Sequence, residues 1–363
     1  MSRRLGQERP GLSRRTLAVA LALGAVARTG RAIETVSVPA VLRESALATA
    51  RAKDSAMLAL ARAGGRLVAA GERGLVLHSD DDGHAWTQAQ VPVRVSLTAL
   101  CFVGERSGWA VGHLGTILRT DDAGARWTLQ LDGVRAAQRH LDVALATGDE
   151  AAIARARRLV EEGPDKAFFD VDFADQRDGI AVGAYGMAFA THDGGSSWAP
   201  LSARLPNPKG LHLYGVRFAG GAIFIVGEQG LLLRSVDGGA TFTALASPYK
   251  GSLFGLLASR DTLIAYGLRG NAFRSVDRGE NWARIDTGVP VSLSAGIDLG
   301  AQGLVLLTQT SDVLVSRDNG ASFRRVPSSE PAPATAVVAN SRGELVIAGL
   351  RGLRAPTAEA ARA

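Results

Sequence analysis

The chain has 363 residues, 46% of them apolar and 21% charged, which excludes a disordered polypeptide. A lone cysteine, Cys101, excludes an internal disulfide framework, and no Cys/His cluster has the spacing of a zinc site. The formal charge of +6 sits in residues 1–32, with seven arginines and one glutamate; residues 33–363 hold 34 basic and 34 acidic residues, so a nucleic-acid partner is not expected.

Residues 1–32 read as a secretory leader, with a basic start, an uncharged stretch Thr16 to Ala27 and small residues around Gly30-Arg31-Ala32. Ser13-Arg14-Arg15 resembles a twin-arginine signal, although Thr16-Leu17-Ala18 lacks its usual phenylalanine and lysine, and ordinary Sec export is the alternative. The apolar run is shorter than the roughly 20 residues that span a bilayer. No cysteine lies near the cleavage region, so a lipid anchor is not expected. The expectation is an exported protein, periplasmic or otherwise on the extracytoplasmic side, peripheral to the membrane.

From residue 33 onward one pattern recurs six times, Ser/Thr-x-Asp-x-Gly-x-x-Trp/Phe, centred on Asp81, Asp122, Asp193, Asp237, Asp277 and Asp318. The aspartates are 41, 71, 44, 40 and 41 residues apart, so the long interval is one period plus an insertion. In phase, about seven residues upstream, runs a Gly-x-x-Gly turn: Gly71–Gly74, Gly112–Gly115, Gly183–Gly186, Gly227–Gly230 and Gly267–Gly270. The sixth repeat has Thr308 and Ser311 there, and a seventh turn, Gly349–Gly352, has no aspartate motif after it. Short Val/Ile/Leu-rich runs between such turns read as strands, and 43 glycines against 13 prolines agree with many tight reversals. A period near 41 with four short strands is the signature of a β-propeller blade. The expected fold is therefore all-β, a seven-bladed β-propeller. The alternating segment Glu34–Val38 is expected to supply the last blade's missing outer strand and so close the ring.

The motif needs no ligand to explain it. An aspartate and a hydroxyl accept from backbone N–H groups in a tight reversal, glycine supplies the positive φ, and the aromatic ring fills the seam between blades. The six aspartates are thus read as structural, with no metal and no cofactor. Asp80-Asp81-Asp82-Gly83 resembles a calcium loop, but no glutamate closes it at the required spacing.

Residues 134–163 break the β pattern between the second and third repeats. Val134, Ala137, Leu141, Ala144 and Leu145 fall at helical spacing, as do Ile153, Ala156, Leu159 and Val160. With Gly148 as a stop, Asp149 as an N-cap and Gly163-Pro164 as an end, the segment is expected to be a helical hairpin, either an ornament or a docking element.

The repeats are those of the Asp-box, or BNR, propellers to which sialidases belong. More specifically, Gly163-Pro164-Asp165-Lys166, Phe168-Phe169-Asp170-Val171, Val182-Gly183-Ala184-Tyr185-Gly186 and Asn207 to Tyr214 resemble the photosystem II assembly and stability factor family, in its bacterial branch outside photosynthesis. That resemblance implies an exported seven-bladed propeller, without known catalysis, that assists a membrane protein complex in assembly or stability. The photosystem itself is not implied.

In such a topology the Gly-x-x-Gly turns and the connections between blades share one face, opposite the Asp-box turns. The candidate binding residues on that face are Arg73, His113, Asp165, Lys166, Tyr185, His212, Tyr214, Glu228, Arg269 and Arg351. The expected partner is a membrane protein or membrane protein complex, a transporter being one candidate, bound by a monomer. The alternative is a carbohydrate-binding or sialidase-like glycoside hydrolase propeller. Its only testable Tyr/Glu pairing is Tyr185 with Glu228, and the Arg-Ile-Pro signature of sialidases is absent. Cys101, within Leu97 to Val103, is expected to be a structural residue on an inner strand.

Overall fold

Glycine turns every few residues and apolar side chains at alternate positions leave little of this chain free to coil into helix. The computed structural model describes residues 38–354. Among them are seven antiparallel sheets, six of four strands and one of three, each built from consecutive strands in simple order. The first strands of sheets 1 to 7 are Met57–Ala63, Leu97–Val103, Phe168–Phe173, Leu213–Ala219, Leu253–Ser259, Leu293–Asp298 and Ala334–Ala339. The expected leader lies outside the described residues. So does the expected closing strand Glu34–Val38, except Val38 itself, which packs against the core between sheets 1 and 2.

Each first strand lies beside the next. Thr98 Oγ1 of sheet 2 donates to Phe168 O of sheet 3 over 2.8 Å, and Val216 N of sheet 4 donates to Asp170 Oδ2 of sheet 3 over 3.0 Å. The seventh sheet packs on the first in the same way, with Thr335 Oγ1 donating to Met57 O at 2.7 Å and Ser341 bonding both oxygens of the Asp82 carboxylate.

The Asp-box turns join the third and fourth strands. In the first, Ser79 Oγ donates to Asp81 Oδ1 at 2.8 Å and accepts from Gly83 N at 2.9 Å, while Asp81 Oδ1 accepts from Ala85 N at 2.8 Å. The motif aromatic then enters the seam with the preceding sheet: Trp127 between sheets 1 and 2, Trp198 between 2 and 3, Phe242 between 3 and 4. Trp282 and Phe323 continue the series. Trp86 of sheet 1 packs against Val338 and Val346 of sheet 7. Burying each ring contributes roughly 1.5–3 kcal/mol, and the motif recurs because each seam needs one.

Two helices, α1 Gly133–Thr147 and α2 Glu150–Glu162, lie between sheets 2 and 3. Asp132 caps α1 by accepting from Arg135 N, Gly148 ends it at φ 69°, and Asp149 caps α2 by accepting from Ala151 N and Ala152 N. The apolar stripe differs from expectation at Leu145, which is 52% exposed. The helices instead bury Ala136, Ala137 and Ala144 with Ile153 and Ala156, the face that α1 turns to α2 and sheet 3. Among the described residues no helix is long and apolar enough to cross a membrane.

Candidate functional site

Every first strand begins with the same irregularity. Its first residue pairs with the glycine or threonine that opens the Gly-x-x-Gly-type turn, its third residue pairs with the residue before that, and the second residue is left over. The seven residues so extruded are Leu58, Thr98, Phe169, Tyr214, Phe254, Ser294 and Thr335. A β-bulge of this kind re-aims a side chain. The first residues of these strands, Met57, Leu97, Phe168, Leu213, Leu253 and Leu293, are fully buried, whereas the bulged ones are only partly so.

The Gly-x-x-Gly turns add a second layer on the same side. Their third residue is left-handed in five of them, with φ of 54–56° at Arg73, Leu114, Tyr185, Gln229 and Arg269. Non-glycine residues adopt this region reluctantly, and arginine, leucine, tyrosine and glutamine have no side-chain chemistry that favours it. The conformation is enforced by the glycines. A Cβ on Gly71 would meet Ala56 O, and one on Gly74 would meet Val93 O, so neighbouring connections grip both ends of the turn. The gripped turn holds Arg73, Tyr185, Gln229 and Arg269 out to solvent.

Bulge and turn meet in sheets 3 to 5. The Phe169 and Tyr214 rings stack at 5.6 Å between centroids with an interplanar angle of 29°, and Phe254 meets Tyr214 edge-on at 5.4 Å. Above them the His212 ring lies 4.7 Å from the Tyr185 ring, and His212 Nδ1 accepts from Tyr185 N at 3.0 Å. Lys166 Nζ sits 6.0 Å from the centre of the Tyr185 ring and bonds Glu162 Oε2 and Asp165 Oδ1 at 2.8 and 2.9 Å. Tyr185 itself is 65% exposed, the most accessible aromatic side chain of the group. Burial lowers the Lys166 pKa, but the hydrogen bonds it donates to the Glu162 and Asp165 carboxylates outweigh that and raise it above the ordinary value. Burial, then the charge on Glu228, pushes the Tyr214 phenol up.

Six of the ten candidate residues come together. Asp165, Lys166, Tyr185, His212, Tyr214 and Glu228 form the cluster, with Glu228 joined through His212 N donating to its Oε2 at 3.3 Å. Arg269 is exposed on the turn of sheet 5, its N–H donating to Ser292 Oγ at 3.2 Å. Arg73, His113 and Arg351 stand exposed on the turns of sheets 1, 2 and 7, away from the aromatic contacts. Phe169 and Phe254 were missing from the sequence-derived set. Each follows the first, buried residue of its strand, and Phe254, like Tyr214, precedes a glycine.

The proposed Tyr185/Glu228 pair does not meet. His212 stands between, taking the Tyr185 N–H on its ring and giving its own N–H to Glu228. Glu72 does the same for Ala56 N at 3.3 Å in sheet 1, so the Glu228 carboxylate fills a structural role that recurs. The Asp-box carboxylates lie at the other ends of the sheets. Asp193, Asp237, Asp277 and Asp318 each have a pKa drawn down to about 2. For Asp237 the cause is the Thr241 hydroxyl and N–H, and for Asp277 the Asn281 N–H and amide.

Deeper along the first strands lies a second polar group. Asp170 Oδ2 accepts from Arg217 Nη1 at 2.6 Å, Asp172 Oδ2 accepts from Phe218 N at 2.8 Å, and Cys101 Sγ lies 3.6 Å from Asp172 Oδ1. Burial raises the Asp170 pKa despite Arg217, and burial with the Asp172 charge pushes the Cys101 thiol well up, so the thiol is a poor nucleophile. Both carboxylates are occupied in tying sheet 3 to sheet 4. Among the described residues no group of three or more His, Cys, Asp or Glu side chains is arranged to hold a metal ion.

Residues 149–284, which carry α2 and sheets 3 to 5, match the family described as photosynthesis system II assembly factor YCF48. The chain resembles the photosystem II assembly factor propellers. A curated relative, the photosystem II assembly lipoprotein Ycf48 of Synechococcus sp. (strain CC9902), is 33% identical over 117 residues, 31% of this chain and 35% of that protein. The chain thus spans about a third of the length of the relative it matches. A structure of YCF48 bound to a D1 peptide superposes with a TM-score of 0.60 at 14% identity, covering 83% of this chain and 92% of that one. A GH74 xyloglucanase from Xanthomonas campestris superposes at 0.59 with 12% identity, covering 83% of this chain and 52% of that one. Likeness at these identities establishes an all-β propeller fold and leaves the activity to the site's own chemistry.

Proposed function

We propose that this chain is an exported, non-catalytic recognition propeller that holds a segment of a membrane protein on its Gly-x-x-Gly face during assembly or stabilisation of a membrane complex. Residues 1–32 are the leader and residues 33–363 the propeller, with the seven sheets as seven blades and the insertion 134–163 as its accessory. The N-terminal segment completes the last blade. The protein acts on the extracytoplasmic side, peripheral to the membrane.

The observation that carries this reading is the coincidence of bulge and turn. Two independent backbone devices, each repeated around the molecule, aim side chains toward one face, and in sheets 3 to 5 they supply four rings, Phe169, Tyr185, Tyr214 and Phe254, which His212 joins, each within 6.0 Å of a neighbour. Aromatic and cationic groups on a rigid scaffold are the anchors of protein recognition. The family-matched residues 149–284 contain the whole cluster, and a relative of that family is known with a D1 peptide bound. Glycoside hydrolysis needs two carboxylates free to flank a bond. Here Glu228, Asp170 and Asp172 are each committed to a hydrogen bond within the fold.

Placing a photo-crosslinking phenylalanine analogue at Tyr185 in cells tests the reading. The expected capture is an integral membrane protein, absent when the analogue is placed at Arg278 on the opposite face. Equal capture from both positions, or capture of polysaccharide alone, overturns it. A panel of chromogenic glycosides is expected to remain uncleaved.

A further inference from the structure

The helical hairpin does more than cover sheet 3. Between α1, α2 and the outer part of sheet 3 lies a cavity of about 700 Å³, within the range of about 300–1,000 Å³ that small-molecule sites occupy. Ala136, Ala144, Ala156, Leu159 and Met187 line its apolar wall. The small side chains of the facing helices are what leave the space. At the rim stand Arg155 and Arg158.

The carboxylates around the opening are already engaged elsewhere. Asp149 is occupied in capping α2, and Glu162 is paired with Lys166, which also takes Asp165. No described carboxylate pairs with Arg155 or Arg158. In the cavity wall, His140 packs against the edge of Phe189 at 5.2 Å between centroids and makes no hydrogen bond among the described residues. Burial holds its imidazole neutral, with the pKa down to about 4. It therefore offers an N–H without adding charge.

We propose that this cavity binds a long-chain aliphatic carboxylate, with the hydrocarbon between α1 and α2 and the carboxylate at Arg155 and Arg158. An acyl chain fits these walls better than a peptide does. The helices use their own N–H and C=O groups internally, and sheet 3 presents Pro200, which has no N–H. A peptide backbone would enter with its polar groups unsatisfied, whereas hydrocarbon asks for no hydrogen bonds. The cavity shares Lys166 and Tyr185 with the proposed recognition cluster, but its own test needs no partner protein.

The test uses the full exported chain and the probe 11-(dansylamino)undecanoic acid, followed by fluorescence. Saturable binding is expected, displaced by myristate and not by dodecylamine or a neutral alcohol of equal length. The double variant R155E/R158E, which changes only rim side chains, is expected to bind roughly tenfold more weakly or worse, with unchanged far-ultraviolet dichroism. The His140 ring resonances are expected to shift as myristate is added, which places the ligand in this cavity. Failure of the probe to saturate overturns the proposal. So does binding that ignores the double charge reversal, equal displacement by the amine, or binding that leaves His140 unmoved. An apolar peptide that displaces the probe while myristate does not would assign the cavity to a protein anchor instead.

Discussion

At the scale of single residues, the hydroxyl in each Asp-box carries more weight than the acid beside it. Thr191 is 2% exposed, donates to Asp193 Oδ1 at 2.8 Å and accepts from Gly195 N at 2.8 Å, so replacing it by valine strands a buried N–H. Thr191→Val is expected to cost about 1–3 kcal/mol in urea unfolding. The carboxylates set a pH dependence instead. Asp193, Asp237, Asp277 and Asp318 have folded pKa values near 2, below the unfolded value of about 3.9. A depressed acid stabilises the fold fully above its unfolded pKa and loses that contribution as pH falls toward the folded one. The urea midpoint is therefore expected to drop between about pH 4 and pH 2. Asp237→Asn and Asp277→Asn together should flatten that drop, and an unchanged acid limb in the double variant would show that other carboxylates control it.

At the scale of elements, glycine positions divide by what surrounds them. A Cβ on Gly71 would strike Ala56 O, while Gly65, in the neighbouring hairpin turn, has nothing within 4 Å. Gly71→Ala is expected to cost at least about 2 kcal/mol and Gly65→Ala almost nothing, read as urea midpoints of the two variants. The hairpin is likewise separable. Gly133 and Pro164 touch where the helices leave and rejoin the sheets, so replacing 134–162 by two glycines should leave one cooperative transition, lowered by exposure of Phe189. These elements were legible in sequence because glycine, the Asp-box and helix caps leave local marks, and Gly148 and Asp149 stand where the chain marks them. The bulges were not legible. A one-residue slip between Leu213 and Gly215 changes no composition or period, yet it turns Tyr214 out of the ladder. For the same reason nothing in the sequence marks Phe169 and Phe254 as turned out of their ladders. Leu145 misled because helical spacing tells which residues share a face but not which neighbour that face meets.

At the scale of the whole molecule, the contact between sheet 7 and sheet 1 differs from the other seams. Neighbouring sheets elsewhere are joined by a peptide connection, whereas sheets 7 and 1 are held by non-covalent contacts at opposite ends of the described chain. Trp86 packs on Val338 and Val346, and Ser341, Asn340 and Arg342 engage Asp82. Trp282 holds the seam between sheets 4 and 5 with similar contacts, its Nε1 donating to Gly279 O at 3.0 Å as Trp86 Nε1 does to Gly83 O. Removing either ring should cost about 3 kcal/mol globally, because each leaves a comparable void. The local consequences should diverge. After Trp282→Ala the two sheets stay tethered by residues 245–252, so opening them gains little chain entropy. After Trp86→Ala no peptide connection among the described residues tethers the seventh sheet to the first, so its release frees that whole sheet. Amide exchange in Leu345–Gly349 should then accelerate by more than the global loss explains, while exchange in Thr262–Gly267 of the Trp282 variant tracks the global value. Equal acceleration in both would mean that the sheet 7–sheet 1 seam is no weaker than a tethered one.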